Sequence, residues 1–408
     1  MTPPEKHRSP VVIVGGGLAG QRCAETLRRR GYGGPIRMIC AEAHRPYDRP
    51  PLSKDVLGDA SREATLPYRA PGWYEEHDID LLLGVRAVAL RPAERRVELS
   101  DGASLPYGQL LIACGSAPRE LPAVGSSENV SFLRSLTDSR GLRQALAGAP
   151  RLVVIGAGFI GQEVAASARR LGLEVTMVEA TAAPLLGILG PELGAWFAQL
   201  HRDEGVRVLT GSGVERAEGN GRVRALYLSS GERIEADHVL VAVGVAPCVQ
   251  WLAGTGLDGA SGVSIDACGR TACEGVYAAG DVAATLHPVS GRRVPGAHWE
   301  SAGRQGAAAA AAMLGETPPP APPSSFWSDQ YGLRIQYVGS SHGADAIAVD
   351  GDRSLRSFTA TFTRQGQPVA ALLVNRPREL PALRNHIQRG IHEQSEDPHR
   401  SSRLCRPR

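Results

Sequence analysis

Two stretches of the chain repeat one order of apolar and polar positions. Residues 11–47 begin with the apolar run VVIV, pass through a glycine-rich turn into a helical segment, and reach a second apolar run, IRMIC. Residues 151–180 do the same, with apolar runs at Leu152 to Ile155 and Val175 to Val178. Short, unbroken apolar runs of this kind indicate buried parallel strands. The repeated pattern therefore predicts two βαβ units in one chain.

Between strand and helix, each unit carries glycines with the spacing G-x-G-x-x-G. They are Gly15, Gly17 and Gly20 in the first unit and Gly156, Gly158 and Gly161 in the second. In such a loop the first glycine allows a tight turn, the second lets the backbone approach a pyrophosphate, and the third lets helix and strand pack closely. The helix N-terminus adds free N–H groups and a partial positive charge. Each loop is therefore a candidate pyrophosphate site.

An acid closes each unit: Glu42 stands 22 residues and Glu179 stands 18 residues after the last glycine. A carboxylate at this place can accept hydrogen bonds from the hydroxyls of an adenosine ribose. The residues after Glu179 are Ala-Thr-Ala-Ala-Pro, without a cation to hold a 2′-phosphate, so NADH is favoured over NADPH. Two complete fingerprints predict two dinucleotides, and the usual pairing is FAD with NAD(P)H.

The remaining pattern divides the chain further. Residues 55–112 predict one or two helices and then a β-rich run. Residues 317–325 (TPPPAPPSS) predict a stiff, extended linker, because proline dominates them. After this linker, strand-like runs and a closing helical segment predict a small antiparallel sheet with one helix. The tail after Ile391 is polar and is expected to fray.

Length and charge narrow the classes of function. With 408 residues, the chain has room for two or three domains. A net charge of +3 is too small to favour nucleic-acid binding. No apolar run approaches the roughly 18 to 20 residues that a membrane span needs, and no signal peptide precedes the first strand. These observations predict a cytoplasmic α/β protein that binds neither nucleic acid nor membranes.

The seven cysteines are scattered and form no C-x-x-C pair and no metal-ligand spacing. They are Cys23, Cys40, Cys114, Cys248, Cys268, Cys273 and Cys405. We interpret them as reduced, small apolar residues, and we expect no metal site. A redox-active cysteine would have to stand near the first helix or in a loop beside the first cofactor. Cys23 and Cys40 stand in a predicted helix and a predicted strand instead.

Four further motifs add to the two fingerprints. They are PYDRPPLSK (46–54), TACEGVYAAGD (271–281), AHWESAGRQG (297–306) and FWSDQ (326–330). The first is a stiff loop that presents Lys54, and the second predicts a strand that delivers Asp281 to the start of a further helix. Together with the fingerprints they resemble the NADH-dependent, FAD-containing ferredoxin reductases of the putidaredoxin reductase and biphenyl dioxygenase reductase kind. That family lies in the pyridine nucleotide-disulfide oxidoreductase superfamily.

The fingerprints and the resemblance together give a set of candidate site residues. The candidate FAD contacts are Gly15, Gly17, Ala19, Gly20, Glu42, Arg49, Lys54, Ala87, Arg134, Gly280, Asp281 and Trp299. The candidate NAD contacts are Gly156, Gly158, Ile160, Gly161, Glu163, Glu179 and Gly244.

The resemblance also implies roles for some of these residues. It places Lys54 beside the flavin ring, where a cation would stabilise the anionic reduced flavin. Glu163, on the first turn of its helix, is expected between nicotinamide and flavin and paired with Lys54. Asp281 is expected to accept a hydrogen bond from the ribitol chain. Trp299 is expected at a ring face, and residues 326–330 are expected to cover the flavin edge.

The chain departs from the family pattern at three positions. Cys114 replaces the threonine of an A-T-G turn, which puts a hydroxyl hydrogen bond there in doubt, and Cys248 replaces an asparagine. Ala297 replaces a glutamate, so that contact is lost or comes from another residue, with Glu300 as the candidate.

The resemblance implies an α/β fold of the glutathione reductase type, with two Rossmann-like dinucleotide-binding domains and a C-terminal α+β domain. The expected boundaries are 1–117 and 245–320 for the FAD domain, 118–244 for the NAD domain inserted into it, and 321–408 for the C-terminal domain. The implied reaction is hydride transfer from NADH to FAD, then single-electron transfer to an iron–sulfur ferredoxin that supplies a cytochrome P-450 or Rieske oxygenase. No catalytic acid–base side chain is expected, because hydride transfer to flavin needs none at the start. We expect a monomer.

Three alternatives stay open at this point. A disulfide reductase or thiol-dependent NADH peroxidase would need the redox-active cysteine described above. A reductase linked to rubredoxin or to nitrite reductase would differ only in its acceptor. A redox-sensing flavoprotein of the apoptosis-inducing-factor type would show slow flavin reduction and a change in oligomeric state on adding NADH.

Overall fold

The computed structural model describes residues 9–287, 291–296 and 298–395, with side chains up to residue 390. Its sheets define three units. The first unit is built from two separate segments of the chain, the central unit lies between those segments, and the C-terminal unit follows them.

The first segment of the first unit holds eight strands and three helices. The strands are β1 (Val11–Val14), β2 (Ile36–Cys40), β3 (Ile79–Leu83), β4 (Ala87–Arg91), β5 (Arg96–Leu99), β6 (Ser104–Pro106), β7 (Gln109–Ile112) and β8 (Ser116–Pro118). The helices are α1 (Leu18–Arg29), α2 (Asp55–Gly58) and α3 (Trp73–Glu76), with 3-10 turns at Pro50–Ser53 and Ala60–Thr65. All four residues of β1 are buried, because helices or strands cover both faces of this parallel sheet.

The central unit holds the second glycine loop. Its strands are β9 (Val130–Ser131), β10 (Arg151–Ile155), β11 (Glu174–Glu179), β12 (Arg207–Thr210), β13 (Val214–Gly219), β14 (Val223–Leu228), β15 (Arg233–Glu235) and β16 (His238–Val241). Its helices are α4 (Leu136–Leu146), α5 (Phe159–Arg170) and α6 (Leu186–Asp203), with a 3-10 turn at Pro122–Val124. The five-stranded sheet β12-β11-β10-β16-β9 is parallel throughout, and β13, β14 and β15 form an antiparallel sheet beside it.

The chain then returns to the first unit. The elements are β17 (Val245–Pro247), β18 (Val263–Ser264), β19 (Val276–Ala278), β20 (Ala283–Leu286), β21 (Arg293–Pro295) and α7 (Trp299–Met313), with 3-10 turns at Gln250–Leu252 and Gly280–Val282. Strand β19 completes the first parallel sheet in the order β19-β7-β1-β2-β3. Where the chain leaves and re-enters this unit, β8 and β17 pair antiparallel.

One predicted element in this segment is wrong. Asp281 was expected at the start of a helix, but Gly280–Val282 is a single 3-10 turn followed by strand β20. The residues after Asp281 form strand β20, which pairs with β18 and β21. This segment is therefore a strand and not a helix. The long helix α7 starts only at Trp299. Its small residues let it pack closely on α1, since an added Cβ on Gly306 would lie 2.1 Å from the Ala19 carbonyl oxygen.

The C-terminal unit is an antiparallel sheet with a closing helix, as the pattern predicts. Its elements are β22 (Ser325–Gln330), β23 (Leu333–Gly339), β24 (Ala346–Asp352), β25 (Ser357–Arg364), β26 (Gln367–Val374), a 3-10 turn at Pro377–Glu379, and α8 (Leu380–Ser395). The strand order is β22-β23-β26-β25-β24. Tyr331 and Gly332 join β22 to β23, and both have positive φ, as a type I′ hairpin turn requires.

Shared cores join the three units. Leu52, Val56 and Leu57 of the first unit pack with α4 and α5 of the central unit. Leu189, Leu193 and Phe197 of α6 pack against the C-terminal sheet in the same way. Within the described part of the chain, no helix is long and apolar enough to cross a bilayer.

Candidate functional site

One cleft of about 930 Å³ runs between the two parallel sheets and is closed on one side by the C-terminal unit. Both glycine loops open into it, because the carboxyl ends of β1 and β10 face each other across it. In open parallel sheets, ligands bind at this end of the strands. The cleft is therefore the candidate dinucleotide site.

The glycines of both loops divide into the same three roles. Gly15 and Gly156 have positive φ, and a Cβ on either would lie within 2.4 Å of the Ala113 or Ala242 carbonyl oxygen. A Cβ on Gly20 or Gly161 would lie 2.1 Å from the carbonyl oxygen of the first glycine. Gly17 and Gly158, in contrast, would place a Cβ in open space. Only the middle glycine therefore leaves room for a ligand, while the others permit backbone packing.

Most candidate residues meet in the cleft. Its walls include Gly17, Ala19, Arg49, Lys54, Arg134, Gly280, Asp281 and Trp299 from the FAD set and Gly156, Gly158, Ile160, Glu163, Glu179 and Gly244 from the NAD set. Gly15, Gly20 and Gly161 lie behind the loops, where they allow close packing. Glu42 and Ala87 do not line the cleft: Ala87 lies on β4 and packs against the core of the first unit.

Lys54 and Glu163 form a buried ion pair in the middle of the cleft. The Lys54 Nζ lies 2.8 Å from a Glu163 carboxylate oxygen, and the two side chains are only 11% and 6% exposed. Lys54 also donates to the Pro50 carbonyl at 3.0 Å. The ammonium has three N–H donors, so one remains for a ligand. The pairing that the resemblance implies is present, although Glu163 lies on the second turn of α5 and not on the first.

Two serines that sequence reasoning missed complete this centre. The Ser328 hydroxyl donates to one Glu163 carboxylate oxygen at 2.6 Å, and the Ser53 hydroxyl donates to the other. Each serine lies inside a motif named above, PPLSK or FWSDQ, but the charged and aromatic residues of these motifs carried the prediction. A buried carboxylate needs such partners, because leaving its oxygens unpaired costs free energy.

A second polar cluster lies at Asp281. One of its carboxylate oxygens accepts from Arg134 at 2.7 Å and from the Ser116 hydroxyl at 3.0 Å. Arg49 supports Arg134 by donating to its carbonyl at 2.7 Å. Arg49 and Arg134 both line the cleft, one from the first unit and one from the central unit, and they would attract an anionic ligand.

The two fingerprint acids have different partners. Glu179 accepts hydrogen bonds from the backbone N–H of Ala157 at 2.8 Å and from the N–H and hydroxyl of Thr181. Glu42 instead pairs with Arg49 at 2.6 Å and accepts from the Tyr47 hydroxyl. Glu179 therefore stays on the wall of the cleft, whereas Glu42 is held behind Arg49.

An aromatic wall faces the Lys54–Glu163 pair. Trp299 donates to the Asp48 carboxylate at 2.6 Å and meets Trp327 edge-on at 5.3 Å. Phe326 stacks on His298, and Phe159 meets Phe326 edge-on, both at 4.7 Å. The pKa of His298 is lowered overall, because the effect of burial is larger than the opposing effect of nearby Asp281. His298 and Phe159 were missed because sequence alone does not show which aromatic residues of three units converge.

The family departures have structural consequences. The Cys114 thiol donates to the Cys248 carbonyl at 3.2 Å, so a thiol takes the place of the expected hydroxyl. Glu300 does not line the cleft but pairs with Arg304 and Arg384, each at 2.8 Å, and so cannot replace the family glutamate there. Ala297 lies outside the described residues.

The cysteines give no support to disulfide chemistry at this site. Among the described residues, no cysteine lines the cleft. Burial raises the pKa of Cys23, and it raises the pKa of Cys40 and of Cys114 to about 12. A reactive cysteine needs a lowered pKa, because the thiolate is the nucleophile. Cys405 lies outside the described residues.

Comparisons with known proteins agree with this geometry. Residues 9–306 match the family described as pyridine nucleotide-disulphide oxidoreductase, and residues 325–400 match the family described as reductase C-terminal. The chain is 38% identical over 386 residues to the ferredoxin–NAD(+) reductase component of the anthranilate 1,2-dioxygenase system of Burkholderia cepacia, covering 93% of this chain and 94% of that one. It is 38% identical to the corresponding component of the biphenyl dioxygenase system of Paraburkholderia xenovorans, covering 89% and 86%. The crystal structure of a covalent putidaredoxin reductase–putidaredoxin complex matches with a TM-score of 0.90 at 34% identity, over 93% of each chain.

Proposed function

The chain belongs to the pyridine nucleotide-disulphide oxidoreductase family, and on that premise we propose that it is an FAD-dependent reductase that oxidises NADH and reduces a ferredoxin. The resemblance and the fold class predicted from the sequence are confirmed. Its relatives are named as reductase components of dioxygenase systems, and a solved relative is bound to putidaredoxin.

The single observation that carries the proposal is the Lys54–Glu163 pair. Lys54 comes from the unit with the first glycine loop, and Glu163 comes from the helix that follows the second. Two dinucleotides that entered the cleft from the two loops would bring their reactive rings together at this pair. The cleft therefore supports hydride transfer between two cofactors.

The residues of the cleft fit FAD at the first loop. Gly17 leaves open space, α1 begins there without a side-chain cap, and Arg49 and Arg134 stand beside it. Such N–H groups and cations suit a pyrophosphate. FAD accepts a hydride from NADH and releases its electrons singly.

The protein's own groups orient the cofactors and supply charge. Lys54 lines the cleft, where its positive charge would stabilise the negative charge of a reduced flavin. Trp299, Phe159 and Phe326 line the cleft, where they would shield the bound rings from water. Glu163 holds Lys54 and does not transfer a proton in this proposal. Glu179, on the wall of the second half, would accept from the ribose of NADH.

The ferredoxin supplies electrons to a Rieske oxygenase or a cytochrome P-450. We further propose the domain boundaries 1–117, 118–244, 245–320 and 321–408, a monomeric state, and a place of action in the cytoplasm. The pairing of β8 with β17 at residues 116–118 and 245–247 supports the two inner boundaries. Cys23 and Cys40 are buried as thiols and are not joined in disulfides, which suits a reducing compartment.

A steady-state assay tests the proposal. The purified holoenzyme would be mixed with NADH or NADPH and with a panel of oxidised ferredoxins, and ferredoxin reduction would be followed optically. We expect reduction that needs the enzyme, is faster with NADH, and occurs with at least one ferredoxin. If NADH were oxidised only with rubredoxin or a disulfide as acceptor, the proposed acceptor would be wrong.

A further inference from the structure

The C-terminal unit reaches two consecutive residues of helix α5, directly behind the second glycine loop: Ser328 bonds Glu163 itself, and Tyr331 reaches Gln162 through His201 of α6. Both contacts start from one segment, the end of β22 and its hairpin turn at Tyr331. Gln162, Glu163, Ser328 and Gln330 are all buried. In such an environment an unpaired polar atom costs free energy, and side chains that bond one another fix one another's orientation.

The first contact is the hydrogen bond from Ser328 to Glu163 described above. Gln330 extends it inward, since its amide nitrogen donates to the Ser328 hydroxyl at 3.0 Å. Gln330 directly precedes Tyr331, so the first contact ends beside the residue that starts the second.

The second contact runs through His201, which is fully buried. Gln162 donates from its amide nitrogen to the Ala157 carbonyl at 2.8 Å, so its amide oxygen faces the other way, towards His201 Nε2 at 3.1 Å. That oxygen can only accept, so His201 carries its proton on Nε2. Its Nδ1 then has a lone pair and accepts from the Tyr331 hydroxyl at 2.7 Å. The contacts thus select one neutral tautomer.

This chain of contacts ends in the second glycine loop, at Ala157. Ala157 is buried between Gly156 and Gly158. Its carbonyl accepts from Gln162, and its N–H donates to Glu179. Gln162 and Glu179 therefore fix both polar groups of the same loop residue, one from the helix and one from the end of β11.

We propose that Tyr331, His201 and Gln162 are positioning residues for NADH. Acting in series, they hold the Ala157 carbonyl away from the cleft, so that the N–H groups at the start of α5 face the pyrophosphate. The C-terminal unit then sets NADH affinity from behind the loop, without touching the nucleotide phosphates. This inference rests on the proposed function, since it needs NADH at the second loop.

The test compares Tyr331→Phe and Gln162→Leu holoenzyme with wild type. Tyr331→Phe removes one hydroxyl and keeps the ring, and Gln162→Leu removes the amide that holds the loop. The matched control is Tyr337→Phe, which deletes another hydroxyl of the C-terminal sheet, one that accepts from the Ser341 N–H. Binding of NAD⁺ would be measured by calorimetry, and flavin bleaching by NADH would be measured under anaerobic conditions, together with FAD content and thermal stability.

We expect Tyr331→Phe to weaken NAD⁺ binding and raise the half-saturating NADH concentration about three- to tenfold, with Gln162→Leu at the upper end or beyond. The limiting bleaching rate should stay within about twofold, because a loop that binds NADH less well still presents it to the flavin in the same way. Tyr337→Phe should match wild type in both quantities. Wild-type affinity in Tyr331→Phe and Gln162→Leu would overturn the inference, as would a loss of thermal stability without a change in affinity. If wild type itself bound no NADH, the proposed function would fail instead.

Discussion

At the scale of single residues, the site depends on one buried charge pair and the hydroxyls that complete it. Burying Lys54 and Glu163 removes both from water, which their attraction offsets only with further hydrogen bonds. Ser53, Ser328 and the Pro50 carbonyl supply those bonds. These hydrogen bonds hold the pair in place on the wall of the cleft.

The nucleotide preference is tested at Glu179. Replacing it in Glu179→Gln keeps the shape and removes the charge, and charge-assisted hydrogen bonds are about twice as strong as neutral ones. We expect the KM for NADH to rise by about tenfold and the NADH-to-NADPH ratio of kcat/KM to fall, because the charge no longer repels a 2′-phosphate. Both constants would be measured with a dye as electron acceptor.

Glu174→Gln is the matched control, because Glu174 begins the same strand, β11, and is exposed. It should leave both constants unchanged. An unaltered NADH-to-NADPH ratio in Glu179→Gln would show that Glu179 does not select the nucleotide.

The stability of the central unit should depend on pH through His238. Burial lowers the pKa of His238 to about 4 from an ordinary value of 6.5, and Arg222 adds to this effect. Between pH 6.5 and pH 4, His238 is therefore protonated in the unfolded chain but neutral in the folded protein. The free energy of unfolding falls as the pH falls through this range. At pH 5 the loss should be about 2 kcal/mol relative to pH 7.5.

Urea unfolding of wild type and His238→Gln at both pH values measures this contribution. Glutamine can keep the hydrogen bond to Ser131, which lies 2.8 Å from the imidazole, but it cannot take up a proton. The variant should lose about 2 kcal/mol less than wild type between pH 7.5 and pH 5. Equal losses in the two proteins would contradict the shifted pKa.

At the scale of elements, the two glycine loops have the same arrangement of glycines. Substitutions at different glycines of one loop should affect nucleotide binding and stability separately. Gly158 has φ −73° and ψ 179°, which alanine adopts freely, and its Cβ would meet nothing within 4 Å. We expect Gly158→Ala to fold with a Tm close to wild type and to raise the half-saturating NADH concentration at least about tenfold, because its methyl group occupies ligand space.

Gly161→Ala provides the contrast on the same loop. Its Cβ would lie 2.1 Å from the Gly156 carbonyl oxygen, so the variant should lose about 1–3 kcal/mol of unfolding free energy. Thermal unfolding and NAD⁺ titration of both variants would be compared. Wild-type affinity in Gly158→Ala would mean that the nucleotide does not approach this loop.

Elements with a strong local signal were predictable from the sequence. The apolar runs at β1, β10 and β11 correctly predicted parallel strands. Strands that are buried on both faces carry unbroken apolar runs, and this pattern is typical of parallel sheets. The segment after Asp281 misled prediction, because its sheet partners β18 and β21 lie elsewhere in the sequence. Local pattern cannot show such pairing.

At the scale of the whole molecule, the candidate site needs residues from all three units. Lys54, Glu163 and Ser328 are separated by more than a hundred positions each, and only the folded chain joins them. Residue spacing alone predicted the two loops and their acids. The Lys54–Glu163 pairing was predicted only through the family resemblance, and the roles of Ser328, His298 and the link through His201 were not predicted.

Electrostatics should affect the reaction with ferredoxin more than the reaction with NADH. The chain is rich in arginine, and Arg334 lies over Trp327 at the cleft wall, 5.3 Å from the ring centre. Such a surface would steer an acidic ferredoxin, and salt screens that attraction. The second-order rate of ferredoxin reduction should fall several-fold between about 0.05 and 0.5 M NaCl.

Reduction of a small neutral quinone is the control for this salt effect, and its rate should change little. A ferredoxin rate that is insensitive to ionic strength would contradict electrostatic steering while leaving the reductase activity itself untouched.

The central claim is that one cleft passes electrons from NADH through bound FAD to a ferredoxin. The most direct measurement is anaerobic stopped-flow absorbance: the yellow holoenzyme is mixed with NADH, and oxidised ferredoxin is added in a second mix. The account predicts rapid bleaching of the flavin by NADH, slower bleaching by NADPH, and return of the flavin absorbance when ferredoxin arrives. Slow bleaching by NADH, or bleached flavin that no member of a ferredoxin panel reoxidises, would contradict it.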